Sequence, residues 1–532
     1  MPSTIFTSAR VPLIWVSNLV SQDISLTSSE IAILDSNSEY LGVSTIQLME
    51  NAGRSVADEV EARFGKGTSV TVYGGTGRNG GDGMVAARHL AGRGFKVLFL
   101  LVGDERLIRD ASVLSNWLAL KAMVSTVKVE LCHDSSVIPK SDSDVLIDAM
   151  LGTGVHGKLH QPFLRAVQTV NSSGGFKIAV DVPTGIDSDT GELLGEAVRA
   201  NFTVTLHALK RGLSRSKQYW GEVKVVDIGI PSEAVIYAGP GDVAAVSKER
   251  PADSHKGQYG RLLVIGGSEI YSGAPTLVAL AAYRTGVDLV NVAAPEKAAE
   301  SIASFSPSII TIKLAGSNLA PRHLRILDEH IYKANSIAIG PGLGLAKETV
   351  SAVRRIISFA IKHKKSVLID ADALKAIGIV KRRIFDESVV ITPHAGEFEA
   401  VSGKGPSRDL KTRMNEVREF ASLSGAITVL KGHTDVISDG TRLKLNNTGN
   451  PGMTVGGTGD VLSGIIAGLM AQGFETYESA IAGAFVNGAA GDLAAERFGY
   501  HLTPTDLIEH IPKILTDPMS HKIIHDRRLR QV

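Results

Sequence analysis

Glycine-rich segments that follow apolar runs are the first candidates for chemistry in this sequence. The segment Asn450–Gly464 reads NPGMTVGGTGDVLSG, and Gly457, Thr458 and Gly459 precede a predicted helix. Backbone amides at the amino end of a helix bind anionic oxygens, so these three residues form a candidate anion hole for a transferring phosphoryl group. Asp460 follows directly and is a candidate catalytic base. The pattern therefore predicts phosphoryl transfer.

Two further polar turns follow apolar runs in this half of the chain. VLKGHTD, at Val429–Asp435, ends a predicted strand in a lysine–glycine turn that suits a nucleotide phosphate. TPHAGEFEAV, at Thr392–Val401, places His394 at another strand end. His394 has two interpretations, since a strand-end histidine is more often a satisfied structural side chain than a ligand-binding one.

A glycine-rich loop also marks the first half. VYGGTGRNGGDG, at Val72–Gly83, contains the spacing G-x-G-x-x-G between a predicted strand and a helix beginning around Met84, which is typical of dinucleotide-binding turns. Asp104 follows the next strand, where such folds bind a ribose. However, Asn79 and Asp82 supply oxygens where pyrophosphate binding favours bare glycine, and oxygen ligands suit a hard cation. A dinucleotide-binding turn, a cation-binding loop and a purely structural turn remain open.

Two companion loops follow other predicted strands of the first half. They read DAMLGTGVHGK, at Asp148–Lys158, and DVPTGIDSDTG, at Asp181–Gly191. Each acid taken singly is as consistent with a helix cap as with a ligand. Because ligands collect at the carboxyl ends of parallel strands, the three loops together predict one binding site.

Composition limits the classes of protein that this chain can be. With 532 residues and a formal net charge of +1, it has the length of two large domains and no basic field for nucleic acid. Its single cysteine, Cys132, excludes an internal disulfide and is expected in the core. No apolar run approaches the roughly 18 residues that span a bilayer. We therefore expect a cytoplasmic protein without membrane or nucleic-acid partners, with residues 1–25 as an N-terminal extension.

The elements that must position these loops alternate between strands and helices, which indicates an α/β fold with parallel sheets. The alternation occurs twice, once from SVTVY to VKVVDIGIP and again from GRLLVIGG onwards. Between the two series, Tyr237–Gly260 is rich in glycine, proline and charge, as linkers are. We predict domains at residues 26–240 and 241–532.

The first-half loops, together with MENAG at Met49–Gly53, resemble the YjeF N-terminal family, whose enzymatic members are NAD(P)HX epimerases. The resemblance covers roughly residues 26–235 and implies a Rossmann-like αβα sandwich. It implies that potassium is held by Asn79, Asp148 and Thr184. It also implies a site for the damaged nucleotide formed by Arg78, Asn79, Gly80, Gly81, Asp82, Gly152, Thr153, Gly154, Val155, His156, Gly157, Lys158 and Asp181.

Two positions depart from the usual pattern of that family. Its loop usually reads NNGGDG, so Arg78 replaces an asparagine. Serine is common at the position of Thr184, and threonine keeps the hydroxyl oxygen that a cation needs. Asp181 is our candidate acid/base group for epimerisation, since a carboxylate can move the protons while the ring nitrogen assists loss and return of the hydroxyl.

The second-half segments, with His255–Pro275 and AIGPGLG at Ala338–Gly344, resemble the ADP- or ATP-dependent NAD(P)HX dehydratases, which have a ribokinase-like fold. The resemblance covers about residues 245–515 and implies that the hydrate contacts Ala274, Gly342, His394 and Asp460. The nucleotide site that it implies consists of Lys431, Gly432, His433, Thr434, Asp435 and Gly459. With both halves, the chain resembles the bifunctional NAD(P)H-hydrate repair enzymes.

These resemblances imply repair of NADHX and NADPHX: epimerisation of the R and S hydrates, then dehydration of the S hydrate with ADP or ATP, Mg²⁺ accompanying the nucleotide. We expect a homo-oligomer. The alternative is a small-molecule kinase, which would use the same anion hole and base, fused to a non-catalytic YjeF-type binding domain. A stable phosphorylated product would identify the kinase.

Overall fold

The structure is a computed structural model that describes residues 25–155 and 157–530. Of the predicted extension at residues 1–25, only Ser25 is described, and the predicted site residue His156 lies outside the described residues. The chain divides between Ser232 and Glu233 into two compact units. Each unit contains its own parallel sheet. Among the helices of the described ranges, none is long and apolar enough to cross a membrane.

The first unit contains a seven-stranded, all-parallel sheet and a separate two-stranded sheet formed by β1 and β8. The order in the large sheet is β4-β3-β2-β5-β6-β7-β9. The strands are β1 (Ser25–Leu26), β2 (Ser69–Gly74), β3 (Lys96–Val102), β4 (Val127–Cys132), β5 (Val145–Ala149), β6 (Phe176–Val180), β7 (Phe202–Leu206), β8 (Leu209–Lys210) and β9 (Glu222–Val226).

Both faces of this sheet are covered, because alternate side chains of its strands enter two different hydrophobic clusters. Phe99 and Leu101 belong to one cluster, and Leu100 and Val102 belong to the other. This is the αβα arrangement, and Cys132 is buried in the second cluster as expected. The helices of the unit are Ser28–Tyr40, Thr45–Arg63, Arg78–Gly92, Ala111–Ala122, Phe163–Ser172 and Lys217–Trp220, and a short helix at Ser232–Ile236 spans the division.

The helix after β2 begins earlier than the sequence predicts. We expected it around Met84, but it runs from Arg78 to Gly92 with Gly77 as its N-cap. A Cβ atom on Gly80 would lie 1.9 Å from the carbonyl oxygen of Gly75, and one on Gly81 would lie 2.5 Å from the Met49 sulfur. Close tertiary packing therefore holds glycines in a helix despite their low helix propensity.

The second unit contains a nine-stranded sheet with the order β12-β11-β10-β13-β14-β15-β16-β17-β18. Strands β10 to β16 are parallel, as predicted, while β17 and β18 add an antiparallel edge that the alternating pattern did not predict. The strands are β10 (Arg261–Ile265), β11 (Leu289–Pro295), β12 (Ile310–Leu314), β13 (Ser336–Ile339), β14 (Ser366–Ile369), β15 (Val389–Ile391), β16 (Ile427–Leu430), β17 (Asp435–Ser438) and β18 (Leu443–Asn446).

Helices pack around this sheet, and the buried helix Thr458–Ala471 follows the predicted anion hole. The start of the predicted linker is held in the unit, because Ala238 donates a hydrogen bond to the Leu445 oxygen at 2.7 Å and Asp242 pairs with Lys444 at 2.6 Å. The α-helices are Pro240–Ala244, Gly273–Arg284, Glu296–Phe305, Leu324–Lys333, Lys347–Lys362, Asp372–Ile377, Ala395–Ser402, Leu410–Ser424, Thr458–Ala471, Thr476–Phe498, Pro504–Thr516 and Lys522–Leu529.

Candidate active sites

A cleft of about 450 Å³ lies at the carboxyl ends of the strands in the first unit. The strand order reverses between β2 and β5, and crevices of open α/β sheets form at such a reversal. The loops after both strands line the cleft. The predicted site residues that line it are Arg78, Asn79, Asp82, Gly152, Thr153, Gly154, Val155 and Asp181.

Four predicted residues of this set do not line the cleft. Gly80 packs against Gly75, and Gly81 packs against Met49. Gly157 and Lys158 are exposed beyond the lining part of their loop. The predicted loops therefore contribute only part of their length to the cleft, and residues outside them, such as Asp35 and Lys210, also line it.

Two of the three predicted potassium ligands are in direct contact. The hydroxyl of Thr184 donates to Asp148 Oδ1 at 2.7 Å, and the Thr184 amide donates to Oδ2 at 2.8 Å. Burial raises the pKa of Asp148 to about 6, although the hydrogen bonds from Thr184 and Met150 act in the opposite direction. A cation beside this carboxylate would favour its ionised form.

The third predicted ligand, Asn79, lies against the same turn. A Cβ atom on Gly152 would be 3.3 Å from the Asn79 Cβ. Both polar atoms of the Asn79 amide are buried without a hydrogen-bond partner among the described residues. Because a buried unsatisfied amide is costly, this side chain fits an oxygen ligand for a cation or a bound polar group.

Asp181 has an ion-pair partner that the sequence did not predict. Lys210 Nζ contacts Asp181 Oδ1, and both residues line the cleft. The motif HALKRG that contains Lys210 carries no glycine-rich or acidic signal, so only the chain's return beside β6 identifies it.

Asp35 and Asp82 add two more carboxyl groups to this cleft. Burial raises the pKa of Asp35 to about 6, where Arg78 lowers it and Asp181 raises it further. Burial, followed by the charges of Asp181 and Asp35, raises the pKa of Asp82 well above its ordinary value. The cleft thus combines the carboxyl group of Asp181, which is paired with Lys210, with two carboxyl groups whose pKa values burial raises.

Asp104, the acid considered for a ribose contact, pairs with Arg106 at 2.5 Å and does not line the cleft. The loop after β2 therefore contributes to a cleft that uses Asp82 and Asp181 rather than Asp104. This arrangement differs from the dinucleotide-binding fingerprint considered for the sequence.

The second site lies where the strand order of the second sheet reverses, between β10 and β13. Gly340 approaches the next strand so closely that a Cβ atom on it would lie 1.8 Å from the Asp370 carbonyl oxygen. Gly342 has a φ of 68°, and a Cβ on it would lie 3.6 Å from the Ala274 Cβ. Two of the predicted hydrate contacts, Ala274 and Gly342, are therefore neighbours.

The predicted anion hole forms the amino end of helix Thr458–Ala471. Gly457 is its N-cap with a φ of 104°, a conformation that favours glycine, and a Cβ there would lie 2.7 Å from Pro504. The Thr458 hydroxyl donates to the Met453 oxygen at 2.9 Å, so this side chain points back to its own loop. The first-turn amides have no acceptor within the helix and can bind an anionic oxygen.

Asp460 lies near a lysine and two carboxyl groups, Lys431, Asp370 and Glu397, and the sequence did not predict that these charges meet. Lys431 Nζ is 3.0 Å from Asp370 Oδ1 and 3.9 Å from Glu397 Oε2. Burial, with the charge of Asp370 next, raises the pKa of Asp460 to about 7, while Lys431 lowers it and Glu397 raises it. A carboxyl group with this pKa suits a general base near neutral pH.

Asp370 and Glu397 are the functional candidates that sequence reasoning missed. Asp370 ends β14 in VLIDAD, and its Oδ2 also accepts the Ser463 hydroxyl at 2.7 Å. Glu397 lies within the segment TPHAGEFEAV, where the strand-end position marks His394 but not Glu397. For Asp370 the available signal is an acid at the end of an apolar strand, as in the first half.

The two remaining predicted segments contact their own backbone. His394 caps helix Ala395–Ser402, since its Nδ1 accepts the Gly396 amide at 3.1 Å. Asp435 Oδ1 accepts the Gly432 amide at 2.9 Å, which closes the turn that contains His433 and Thr434. A Cβ atom on Gly459 would lie 3.4 Å from Lys431 Nζ, so the lysine turn adjoins the anion hole.

Both halves of the chain match known protein families. Residues 45–212 match the family described as YjeF-related protein N-terminus, and residues 262–513 match the family described as NAD(P)H-hydrate dehydratase. The bifunctional NAD(P)H-hydrate repair enzyme Nnr of Hyperthermus butylicus is 45% identical over 93% of this chain and 93% of its own length. The enzyme of the same name from Pyrobaculum aerophilum is 46% identical over 92% of this chain and 98% of its own length.

One solved structure with similarity to this chain is the ADP/ATP-dependent NAD(P)H-hydrate dehydratase of Bacillus subtilis, co-crystallized with ATP/Mg²⁺. It is 27% identical, covers 54% of this chain and 99% of its own, and superposes with a TM-score of 0.45. Independently of it, the sheets and the two family matches confirm the predicted fold class of two α/β domains, Rossmann-like and ribokinase-like. With full-length relatives above 40% identity, this chain belongs to the family of bifunctional NAD(P)H-hydrate repair enzymes.

Proposed function

We propose that this chain repairs hydrated nicotinamide nucleotides. The first unit interconverts the R and S forms of NADHX and NADPHX, and the second dehydrates the S form with ADP or ATP. The observation that carries the proposal is the match to bifunctional repair enzymes over nearly the whole chain. The cleft in the first unit and the Asp460 cluster in the second supply a chemical site for each reaction.

Dehydration requires that the hydroxyl on C6 of the reduced ring become a leaving group. Asp460 takes the hydroxyl proton, and the oxygen attacks the terminal phosphorus of the nucleotide. The bond from that phosphorus to its bridging oxygen breaks, so AMP leaves from ADP, or ADP from ATP. The amides of Gly457, Thr458 and Gly459 stabilise the charge on the moving phosphoryl group. Phosphate then leaves with the C6 oxygen, assisted by the ring nitrogen, and loss of a proton from C5 restores the double bond.

The other predicted residues of the second unit bind the two substrates. We assign Ala274, Gly342 and His394 with Asp460 to the hydrate. Lys431 lies beside both Asp370 and the anion hole, which suits contact with the nucleotide phosphates. The other nucleotide contacts are Gly432, His433, Thr434, Asp435 and Gly459. Mg²⁺ accompanies the nucleotide in this proposal.

Epimerisation requires a base and an acid at C6 of the hydrate. Asp181 is the base in this proposal, because its carboxylate is paired with Lys210 and lines the cleft. The unpaired amide of Asn79, with Asp148 and Thr184, fits a potassium site. Potassium bound there would supply positive charge beside the substrate phosphates. The residues of the cleft would hold the nucleotide with its C6 against Asp181.

The domain assignment follows the two activities, with the epimerase at residues 26–240 and the dehydratase at residues 241–532. The cytoplasmic location and the homo-oligomeric state remain predictions, as does the lack of nucleic-acid and membrane partners. The experiment that tests the function also decides between ADP and ATP as phosphoryl donor and between NADHX and NADPHX as preferred substrate.

A coupled assay tests the proposal. The full chain is mixed with resolved R or S hydrate and with ADP or ATP, and the regenerated NADH or NADPH is followed by its absorbance. We expect the S hydrate to be consumed with nucleotide and the R hydrate to be consumed at a rate that epimerisation limits. A stable phosphorylated product without reduced nucleotide would instead support a kinase fused to a binding domain.

A further inference from the structure

Two strained turns lie side by side at the carboxyl ends of β6 and β7. Asp181 has a φ of 65°, and the Val182 amide donates across it to the Val180 oxygen at 2.8 Å. His207 has a φ of 62°, and the Ala208 amide donates across it to the Leu206 oxygen at 2.7 Å. Both are three-residue turns in a left-handed conformation that residues other than glycine seldom adopt. Such strain persists only where the surrounding structure enforces it.

Lys210 contacts both of these turns and also lines the cleft. Its side chain is 1% exposed, and its Nζ donates to the oxygens of Leu206 at 2.8 Å and Ala208 at 3.1 Å. Its third contact is with Asp181 Oδ1. An ammonium group has three hydrogen-bond donors, so these three contacts use all of them. The backbone of Lys210 is also held, because the pairing of β1 with β8 places Lys210 beside Leu26. This lysine is held in place rather than free to reach a substrate.

The same contacts orient Asp181. Its Oδ1 accepts both Lys210 and the Leu206 amide, the latter at 3.1 Å. This arrangement leaves Oδ2 for the cleft that Asp181 lines. A buried carboxylate is stable only with such partners, because desolvation otherwise favours the neutral form.

Lys210 also distinguishes Asp181 from the other carboxyl groups of the cleft. Among the described residues, neither Asp35 nor Asp82 forms an ion pair with Lys210, and Asp35 instead contacts Arg78 at 3.4 Å. A reaction that needs a base and an acid in one cleft benefits when its carboxyl groups have different environments.

From this geometry we propose that Lys210 is the positioning residue of the epimerase site, holding Asp181 as an oriented carboxylate with Oδ2 directed to the substrate. The inference rests on the proposed epimerase function. Lys210 acts through Asp181 and does not contact the reacting atoms. Its loss therefore lowers the rate of the chemical step more than the binding of the hydrate.

The test uses the full chain with Lys210→Ala, assayed by chromatographic resolution of R and S hydrates. We expect kcat for epimerisation to fall roughly 10²-fold, the lower end of the range for loss of acid–base catalysis, with KM within about threefold of wild type. Ethylamine in the assay should restore activity at least tenfold, because its ammonium can occupy the space left by the side chain. It should not restore Asp181→Asn.

Lys177→Ala is the matched control. Lys177 lies in β6 itself, and its Nζ donates only to the Ser173 carbonyl oxygen at 3.0 Å among the contacts that the structure describes. This variant should keep wild-type epimerisation and show no response to ethylamine. ADP-dependent dehydration of pure S hydrate, catalysed by the other unit, should be unchanged in both lysine variants.

A folded Lys210→Ala protein that retains kcat within threefold of wild type, or that ethylamine does not restore, overturns the inference. If this variant does not fold, Lys210→Met is assayed by the same kinetic criteria and by thermal unfolding. The drop in Tm caused by Lys210→Met should be larger when Asp181 is present than in the Asp181→Asn background. Only in the first case does the substitution leave the buried carboxyl group of Asp181 without its ion-pair partner. Equal losses contradict the inference. Failure of the wild-type chain to interconvert the hydrates refutes the proposed function itself.

Discussion

Replacing Asp370 with asparagine should move the acidic limb of the dehydration pH profile to lower pH. Burial and then the charge of Asp370 raise the pKa of Asp460 to about 7. The substitution removes that charge and releases Lys431 from its 3.0 Å contact, which favours the ionised form of Asp460. Asparagine can still accept the Ser463 hydroxyl, which donates to Asp370 at 2.7 Å.

The size of the change follows from the usual effect of one neighbouring charge on a carboxyl group. A neighbouring charge typically shifts the pKa of a carboxyl group by about 1–3 units. A downward shift of about one unit, from about 7, raises the ionised fraction of Asp460 at pH 6 from about one tenth to about one half. The kcat/KM at pH 6, relative to its plateau, should therefore rise roughly fivefold. The plateau itself should fall, because a less basic carboxylate is a weaker general base.

The assay measures kcat/KM for ADP-dependent dehydration of pure S hydrate across the pH range, following the absorbance of NADH. Asp372→Asn is the matched control, because Asp372 accepts the Gly344 amide at 3.0 Å and pairs with Lys375 at 3.2 Å, apart from the Asp460 cluster. The control should leave the limb in place. An unchanged limb in Asp370→Asn, or one that moves to higher pH, would refute the assignment of Asp460 as the titrating base.

Three further predictions concern the separate sites. Asp460→Asn should lower dehydration by roughly 10²–10⁴-fold while epimerisation continues, and near-wild-type turnover at saturating nucleotide would exclude Asp460 as the base. Asp148→Ala should raise the hydrate concentration needed for epimerisation and leave dehydration unchanged; crystals soaked in thallium should show anomalous density within about 3.5 Å of the three predicted ligands, and its absence would contradict the potassium site. A fragment of residues 1–240 should interconvert the hydrates without nucleotide, and residues 241–532 should consume only the S form; a folded first fragment without activity would indicate a shared site.

The repeated strand–helix alternation could be predicted because it depends on local patterns. Runs such as SVTVY and GRLLVIGG form β2 and β10 at the expected places. The turn predicted as an anion hole also consists of consecutive residues, and Gly457 adopts a left-handed conformation immediately before a helix. An element can be predicted from the sequence when its formation depends only on the conformational preferences of neighbouring residues.

The extent of each loop and the edge of the second sheet were less predictable. The glycines after Arg78 are helical because β2 and Met49 pack against them, although their intrinsic preference is for a loop. Strands β17 and β18 are short and antiparallel, and the pattern of alternating elements predicts only parallel strands. Both outcomes depend on contacts with other elements.

By itself, the sequence determined two α/β halves, the glycine-rich turns at their strand ends, and the chemical types of the residues carried there. Only the tertiary structure decided which charges meet. Lys431 and Asp370 are 61 positions apart, and the contact of Lys210 with Asp181 arises where the chain returns beside β6. Burial then sets protonation, as in the raised pKa of Asp460. Long-range strand order and desolvation are properties of the packed chain, and no local pattern contains them.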